Sequence, residues 1–179
     1  MLLQHKACVD LQNNEGSTAL MAASEQARFG TEAVRMLLER GAQCNMQCDR
    51  FDGYTALTSA ARNGHHAVLV LLLEHRADHH TQKLGSPLMQ AAGAGHGACV
   101  RALLEAGADS SLQSRGKTAL DFALKHDHAE IAAVLRRAQE GAPTEKVDRG
   151  VHEIVARDGG DERARVRREL LTGDLRSHA

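Results

Sequence analysis

One phrase returns four times in this chain, and the spacing of its returns limits the fold more than any other feature. The Leu of each TAL or SPL phrase stands at Leu20, Leu57, Leu88 and Leu120, at intervals of 37, 31 and 32 residues. His65, His96 and His128 each follow their Leu by eight residues. Asp78 and Asp109 then follow His65 and His96 by 13 residues. A unit of about 33 residues is too short to bury its own apolar face. Such units must stack, each covering the next, so the period alone predicts a repeat array rather than one closed core.

Each unit reads as two helices. A hydroxyl at Thr18, Thr55, Ser86 or Thr118 stands where it can cap the first helix. That helix is short and Ala-rich, and Ala22, Ala23, Ala60, Ala61, Ala91 and Ala92 should let neighbouring helices approach closely. A break at Asn63-Gly64 and at Gly95 follows. The second helix carries an apolar stripe, Val68, Leu71 and Leu72 in one unit and Val100, Leu103 and Leu104 in the next. Gly41 and Gly107 supply a left-handed stop.

Composition agrees with close helix packing. The chain of 179 residues is 42% hydrophobic but only 2% aromatic, so its apolar content is mainly Ala, Leu and Val. A net charge of −1 provides no global field to recruit nucleic acid or an acidic membrane. No apolar run approaches the roughly 20 residues that span a bilayer. The opening MLLQHKACVD lacks the long apolar stretch of a signal peptide. Cys8, Cys44, Cys48 and Cys99 are scattered and form no disulfide framework. A soluble intracellular protein, cytoplasmic or nuclear, is the expectation.

These residues make the chain resemble the ankyrin repeat family. Gly53, Thr55-Ala56-Leu57, Ala60-Ala61, Gly64-His65, Leu71-Leu72-Leu73 and Ala77-Asp78 carry the resemblance in one unit. Ser86-Pro87-Leu88, Ala91-Ala92, Gly95-His96, Leu103-Leu104 and Gly107-Ala108-Asp109 carry it in the next. It implies an all-α solenoid of stacked helix-turn-helix units joined by β-hairpin-like loops, ending in a flexible charged tail. Residues 1–13 read as the C-terminal half of an incomplete repeat, because LLQHKACVDLQ aligns with LLLEHRADHHT. Repeats follow at 14–50, 51–82, 83–114 and, as a charged C-terminal cap, 115–138. The incomplete first unit leads us to expect that the chain is a fragment of a longer array.

Three departures from the family pattern stand out. Its His directly after the Leu is replaced by Met21, Thr58, Met89 and Asp121, so an array softer than the family pattern is expected. The first repeat is lengthened at SEQARFGTEAV and again at QCDRFD. The hairpin HHTQKLG is short, with Leu84 where a turn Gly is expected.

After Gly141 the character changes. Residues 142–179 hold eight Lys and Arg and eight Asp and Glu, with Pro143 at the boundary and Gly159-Gly160 in the middle. This composition predicts that residues 139–179 form a charged, partly disordered tail. Short helices lined by Val151, Ile154 and Val155 and by Val166 and Leu170 would give it a docking role.

Several motifs invite chemistry that their context denies. Gly93-Ala94-Gly95-His96-Gly97-Ala98 fits a loose dinucleotide fingerprint, but a helix precedes it where a strand is required. Cys44, Cys48, His65-His66, His75 and His79-His80 include metal-ligand types without the paired spacing of a zinc site. HDHAE at His126–Glu130 reads as a helix start. No nucleophile, base and orienter group together, so no enzyme, no cofactor and no metal are expected. Asn45 lies where the family often carries a hairpin Asn, which in related proteins can be hydroxylated. Here it is read first as a turn residue.

The resemblance implies a concave face of hairpin tips and first helices that binds another protein. Positions that the repeat does not require are the candidates for contact. These are Phe51, Asp52, Tyr54, Arg62 and Asn63, with Glu25, Gln26 and Arg28 beside them and Lys83, Met89, Lys117, Lys125 and His126 continuing the face. Phe51 and Tyr54 are rare rings in this chain and suit interface anchors. Basic residues dominate the later part, which suits a partner with acidic patches. The expected protein is a monomeric interaction module that inserts into no membrane. The alternative is a targeting or regulatory segment of a larger protein such as a kinase, ubiquitin ligase or channel.

Overall fold

The four hydroxyl residues each open a helix. Thr18, Thr55, Ser86 and Thr118 are extended, and the side-chain oxygen of each accepts a hydrogen bond from the backbone N–H three residues on. The structure, a computed structural model, describes residues 8–26, 30–48, 54–80 and 85–141. Within them lie eight helices in four pairs: α1 (Ala19–Ser24) and α2 (Gly30–Glu39), α3 (Ala56–Asn63) and α4 (His66–Glu74), α5 (Pro87–Ala94) and α6 (Gly97–Glu105), α7 (Ala119–Lys125) and α8 (Ala129–Gln139). Of the tail expected over residues 139–179, Gln139 ends α8 and Glu140 caps it, and residues 142–179 lie outside the described residues.

The first helices run to only six to eight residues, too short to persist alone in water. They form a layer in the order α1, α3, α5, α7, and the second helices form another in the order α2, α4, α6, α8. Small side chains set the closeness of the first layer: Ala60, Ala61, Ala91 and Ala92 are fully buried. Larger residues fill the space between layers. Leu57, Leu69, Leu72, Leu88, Leu103 and Leu135 lose all or nearly all contact with solvent. Each buried leucine contributes roughly 1.5–3 kcal/mol relative to an exposed one. The observed stripe of α4 is Val68, Leu69 and Leu72, so Leu71, half-buried, is less central than the sequence suggests.

Left-handed residues punctuate the units in a common way, except that α1 ends at Glu25 in the right-handed region. Gly64 and Gly95 end the first helices with φ of 72° and 83°, and Gly41, Gly107 and Gly141 follow the second helices with φ of 83°, 89° and 73°. Non-glycine residues hold two of these places, Arg76 at φ 60° and Asp127 at φ 58°. Such residues pay a steric cost that glycine avoids.

The hairpins reduce to isolated antiparallel pairs, Gln12 with Thr18, Cys48 with Tyr54 and Ser114 with Lys117. Side chains tie one hairpin to the next. Asp10 Oδ1 accepts the N–H of Gln43 at 2.9 Å, and Asn45 Oδ1 accepts the N–H of Asp78 at 2.8 Å, both 33 residues away. Asn45 thus acts as an inter-unit acceptor. Its role in the turn extends beyond its own unit.

The fourth pair departs from the others on its outer side. Leu124, 47% exposed, stands where Ser24, Ala61 and Ala92 are buried. Arg136 stands where Leu38, Leu73 and Leu104 pack, and Asp127 takes the place of Gly64 and Gly95. Bulk at Leu124 and charge at Asp127 and Arg136 replace the small residues, glycines and leucines of the inner units.

The two kinds of glycine should respond differently to a methyl group. Gly107→Ala puts Ala at φ 89° in open space and should cost about 1–2 kcal/mol. Gly95→Ala meets the same strain and also sets its Cβ 2.7 Å from His128 Cε1, so it should cost clearly more. Urea unfolding of both, with His128→Ala added, checks this: the added change should shrink the excess cost at Gly95 alone.

Candidate protein interface

The histidines eight residues after Leu57, Leu88 and Leu120 do not cap their helices. His65, His96 and His128 occupy the N-cap position without any side-chain capping bond. Each ring reaches back into the preceding unit. Nε2 of His65 lies 3.0 Å from the carbonyl oxygen of Glu25, Nε2 of His96 3.1 Å from that of Arg62, and Nε2 of His128 3.3 Å from that of Gly93. A carbonyl can only accept, so Nε2 carries the hydrogen in all three.

The rings also lie over the turn glycines. A methyl on Gly64 would stand 2.5 Å from His96 Nδ1. The positive φ and the overlying ring therefore demand glycine for separate reasons.

These carbonyls belong to the residues at the ends of the first helices. Corresponding pairs there are Glu25-Gln26, Arg62-Asn63, Gly93-Ala94 and Lys125-His126. The histidines thus fix the backbone of a strip of side chains whose identities the fold leaves free. Both members of the first, second and fourth pairs are exposed. Glu25 Oε1 accepts the Ser59 hydroxyl at 3.3 Å, which holds this carboxylate against α3. Asn63 turns its amide back to the Ser59 carbonyl at 2.9 Å. Gly93 and Ala94 leave a low point in the strip, with Phe122 alongside: a Cβ on Gly93 would lie 3.7 Å from its ring.

The other predicted contact residues divide. Lys117 is exposed in the Arg115-Gly116 turn, and Lys125 is exposed at the end of α7. Tyr54 is half-buried against the core and pairs through its backbone with Cys48. Met89 must be corrected: it is 3% exposed and belongs to the core. Its sulfur tucks under the preceding turn, 3.3 Å from where a Cβ on Gly85 would stand. Phe51, Asp52, Arg28 and Lys83 lie outside the described residues.

The missing family histidine is replaced by local capping in two units. Thr58 and Thr55 exchange bonds, Thr55 N–H donating to Thr58 Oγ1 at 2.7 Å and Thr58 N–H to Thr55 Oγ1 at 3.2 Å. Asp121 accepts from both the N–H and the hydroxyl of Thr118 at 2.8 Å. These bonds hold the Asp121 carboxyl below the usual carboxylate range. The cysteines show the opposite tendency. Burial raises the Cys44 thiol and pushes Cys99 up to about 11, which leaves neither as a ready thiolate. Among the described residues no three His, Cys, Asp or Glu side chains gather to hold a metal.

The repeat geometry has a known counterpart. A family model described as ankyrin repeats (3 copies) matches residues 1–83 and 77–148. The chain belongs to the ankyrin repeat family. No curated protein matches it. Ankyrin repeats are generally protein–protein interaction modules. Among the described residues, no helix of this ankyrin array is long and apolar enough to cross a membrane.

The capping bonds at Thr118 make a titration testable. The Asp121 carboxylate supports α7 fully at neutral pH, and that support is lost as pH falls through its lowered folded midpoint. Carbon-detected NMR should find that midpoint below the ordinary Asp value, and Thr118→Val should raise it.

Proposed function

We propose that this ankyrin array is a non-catalytic interaction module that binds a protein partner across its concave face. The strip at the ends of the first helices and the adjoining hairpin tips form the contact. One observation carries the reading. The positions 25-26, 62-63, 93-94 and 125-126 differ from unit to unit, yet their backbone is held by the same histidine bond in the first three. A rigid row of freely chosen side chains suits recognition, because little ordering entropy is lost on binding.

Within this reading Arg62, Asn63, Glu25, Lys117 and Lys125 contribute from the described residues. Phe51, Asp52 and Arg28, which lie outside the described residues, are assigned to the same contact from the sequence alone, and Tyr54 adds a half-buried ring. Arg62, Lys117 and Lys125 favour a partner bearing carboxylates. The reading supposes a single chain acting inside the cell, in cytoplasm or nucleus, with its thiols reduced.

An affinity capture from lysate with mass spectrometry tests it, followed by direct titration of the captured protein. The baits are the wild type, Arg62→Ala/Lys125→Ala on the strip, and Glu74→Ala/Glu105→Ala on the second helices, all matched by circular dichroism. We expect one partner to bind the wild type and the second-helix variant, with affinity for the strip variant reduced about tenfold or more. Loss from the second-helix variant alone would refute the assignment of the face.

A further inference from the structure

Gly93 answers to no demand of the fold. Gly64 and Gly95 are required by a positive φ and an overlying ring. Gly30 is required by the Ala23 carbonyl oxygen, 2.5 Å from where its Cβ would stand. Gly93 lies within α5 and has no positive φ. A Cβ there would touch Phe122 Cβ and Cδ1 at 3.7 Å and His126 Cδ2 at 3.9 Å. These are ordinary van der Waals separations, so alanine would fit. Glycine in a helix is less stable than alanine. Position 93 therefore gives up stability that packing does not ask it to lose.

The equivalent residues in the other units are long and charged: Glu25, Arg62 and Lys125, each five residues after its Leu. Glu25 is turned onto Ser59. Arg62 and Lys125 are exposed, and among the described residues neither meets a carboxylate. Their helices, α3 and α7, pack on either side of α5. Gly93 and Ala94 thus open a notch between two unpaired cations.

The wall of the notch is aromatic. Phe122 takes the place that Ser59 holds in the second unit, but Ser59 is wholly buried and Phe122 only half-buried. His126 presents its ring to the same point. That ring lies within 22° of parallel to His128, with centroids 6.4 Å apart, and His128 is itself bonded to the Gly93 carbonyl. Rings held in this way suit an incoming aromatic side chain in offset or edge-on contact.

We propose that the notch at Gly93 selects the partner: it receives one aromatic side chain of an extended acidic segment, whose carboxylates on either side pair with Arg62 and Lys125. The proposal rests on the concave-face reading above and names the partner's chemistry. Packed helices stand roughly 8–10 Å apart, and an extended chain advances about 3.3 Å per residue. The carboxylates therefore lie about two or three residues to each side of the ring. A long side chain at position 93, such as the neighbouring units carry, would fill the notch. Glycine keeps it open.

The test titrates the full chain with the peptide Glu-Glu-Gly-Trp-Gly-Glu-Glu, acetylated and amidated. The protein contains no Trp, so emission reports the peptide ring alone. We expect saturable binding, emission shifted to shorter wavelength, and NMR amide shifts centred on the ends of α5 and α7. Gly93→Gln should raise the thermal midpoint yet weaken the peptide about tenfold. Gly93→Ala should also raise the midpoint, with a smaller loss of binding. A competing peptide with Gly in place of Trp should bind about tenfold more weakly to the wild type and ignore Gly93→Gln. Equal binding to wild type and Gly93→Gln, or equal binding of both peptides, would overturn the notch. Loss on Arg62→Ala/Lys125→Ala would then still leave the broader strip standing. A lower midpoint for both Gly93 variants would overturn it too, because the fold would then need the glycine. So would no saturation by about 1 mM peptide, with titration of the captured protein left to decide the strip.

Discussion

A histidine ring laid across the turn of the preceding unit is the contact on which this molecule depends. The units cannot stand alone, because their first helices are only six to eight residues long. Apolar burial drives the stacking but sets no register by itself. The ring supplies one, since its Nε2–H must meet a single carbonyl, 3.0 to 3.3 Å away in three successive interfaces. Its flat face also fixes what may lie beneath it. Gly64 and Gly95 answer both demands, a left-handed φ and room for a ring. At Asp127 no further described helix pair follows, and a residue with a Cβ holds the same conformation.

The same bonds bear on recognition. By gripping the carbonyls of Glu25, Arg62 and Gly93, the histidines hold the backbone from which the variable side chains project. Support and variability fall on the same residues: the backbone is held alike, while the side chains differ from unit to unit. A scaffold built this way can change partners by changing side chains without disturbing its own stacking. Two of the thiols are turned inward: Cys48 donates to the Glu15 carbonyl at 2.9 Å, and Cys99 is wholly buried.

Much of this was legible in the residues. The capping hydroxyls, the left-handed glycines and the histidine interval all show in a single sequence, because each is a local demand repeated at fixed spacing. What the histidine does was less legible, since its partner lies 34 to 40 residues away. Met89 was misread as surface for a related reason. It replaces a residue type that the family pattern makes polar, yet the Gly85 turn folds over it and seals it in. Tyr54 looked like a free ring, but its backbone pairing with Cys48 draws it against the core. Ala22 misled in the other direction. It reads as a packing alanine like Ala60, and only the stack shows that nothing among the described residues covers it.

Hydrogen exchange on a His96→Ala variant tests the central claim most directly. The substitution lies at the start of α6, but its bond and its ring contact belong to Arg62 and Gly64. The account predicts a loss of about 1–2 kcal/mol in protection that includes α3 and α4 of the preceding pair. Loss confined to α5 and α6, with α3 and α4 protected as in the wild type, would contradict it.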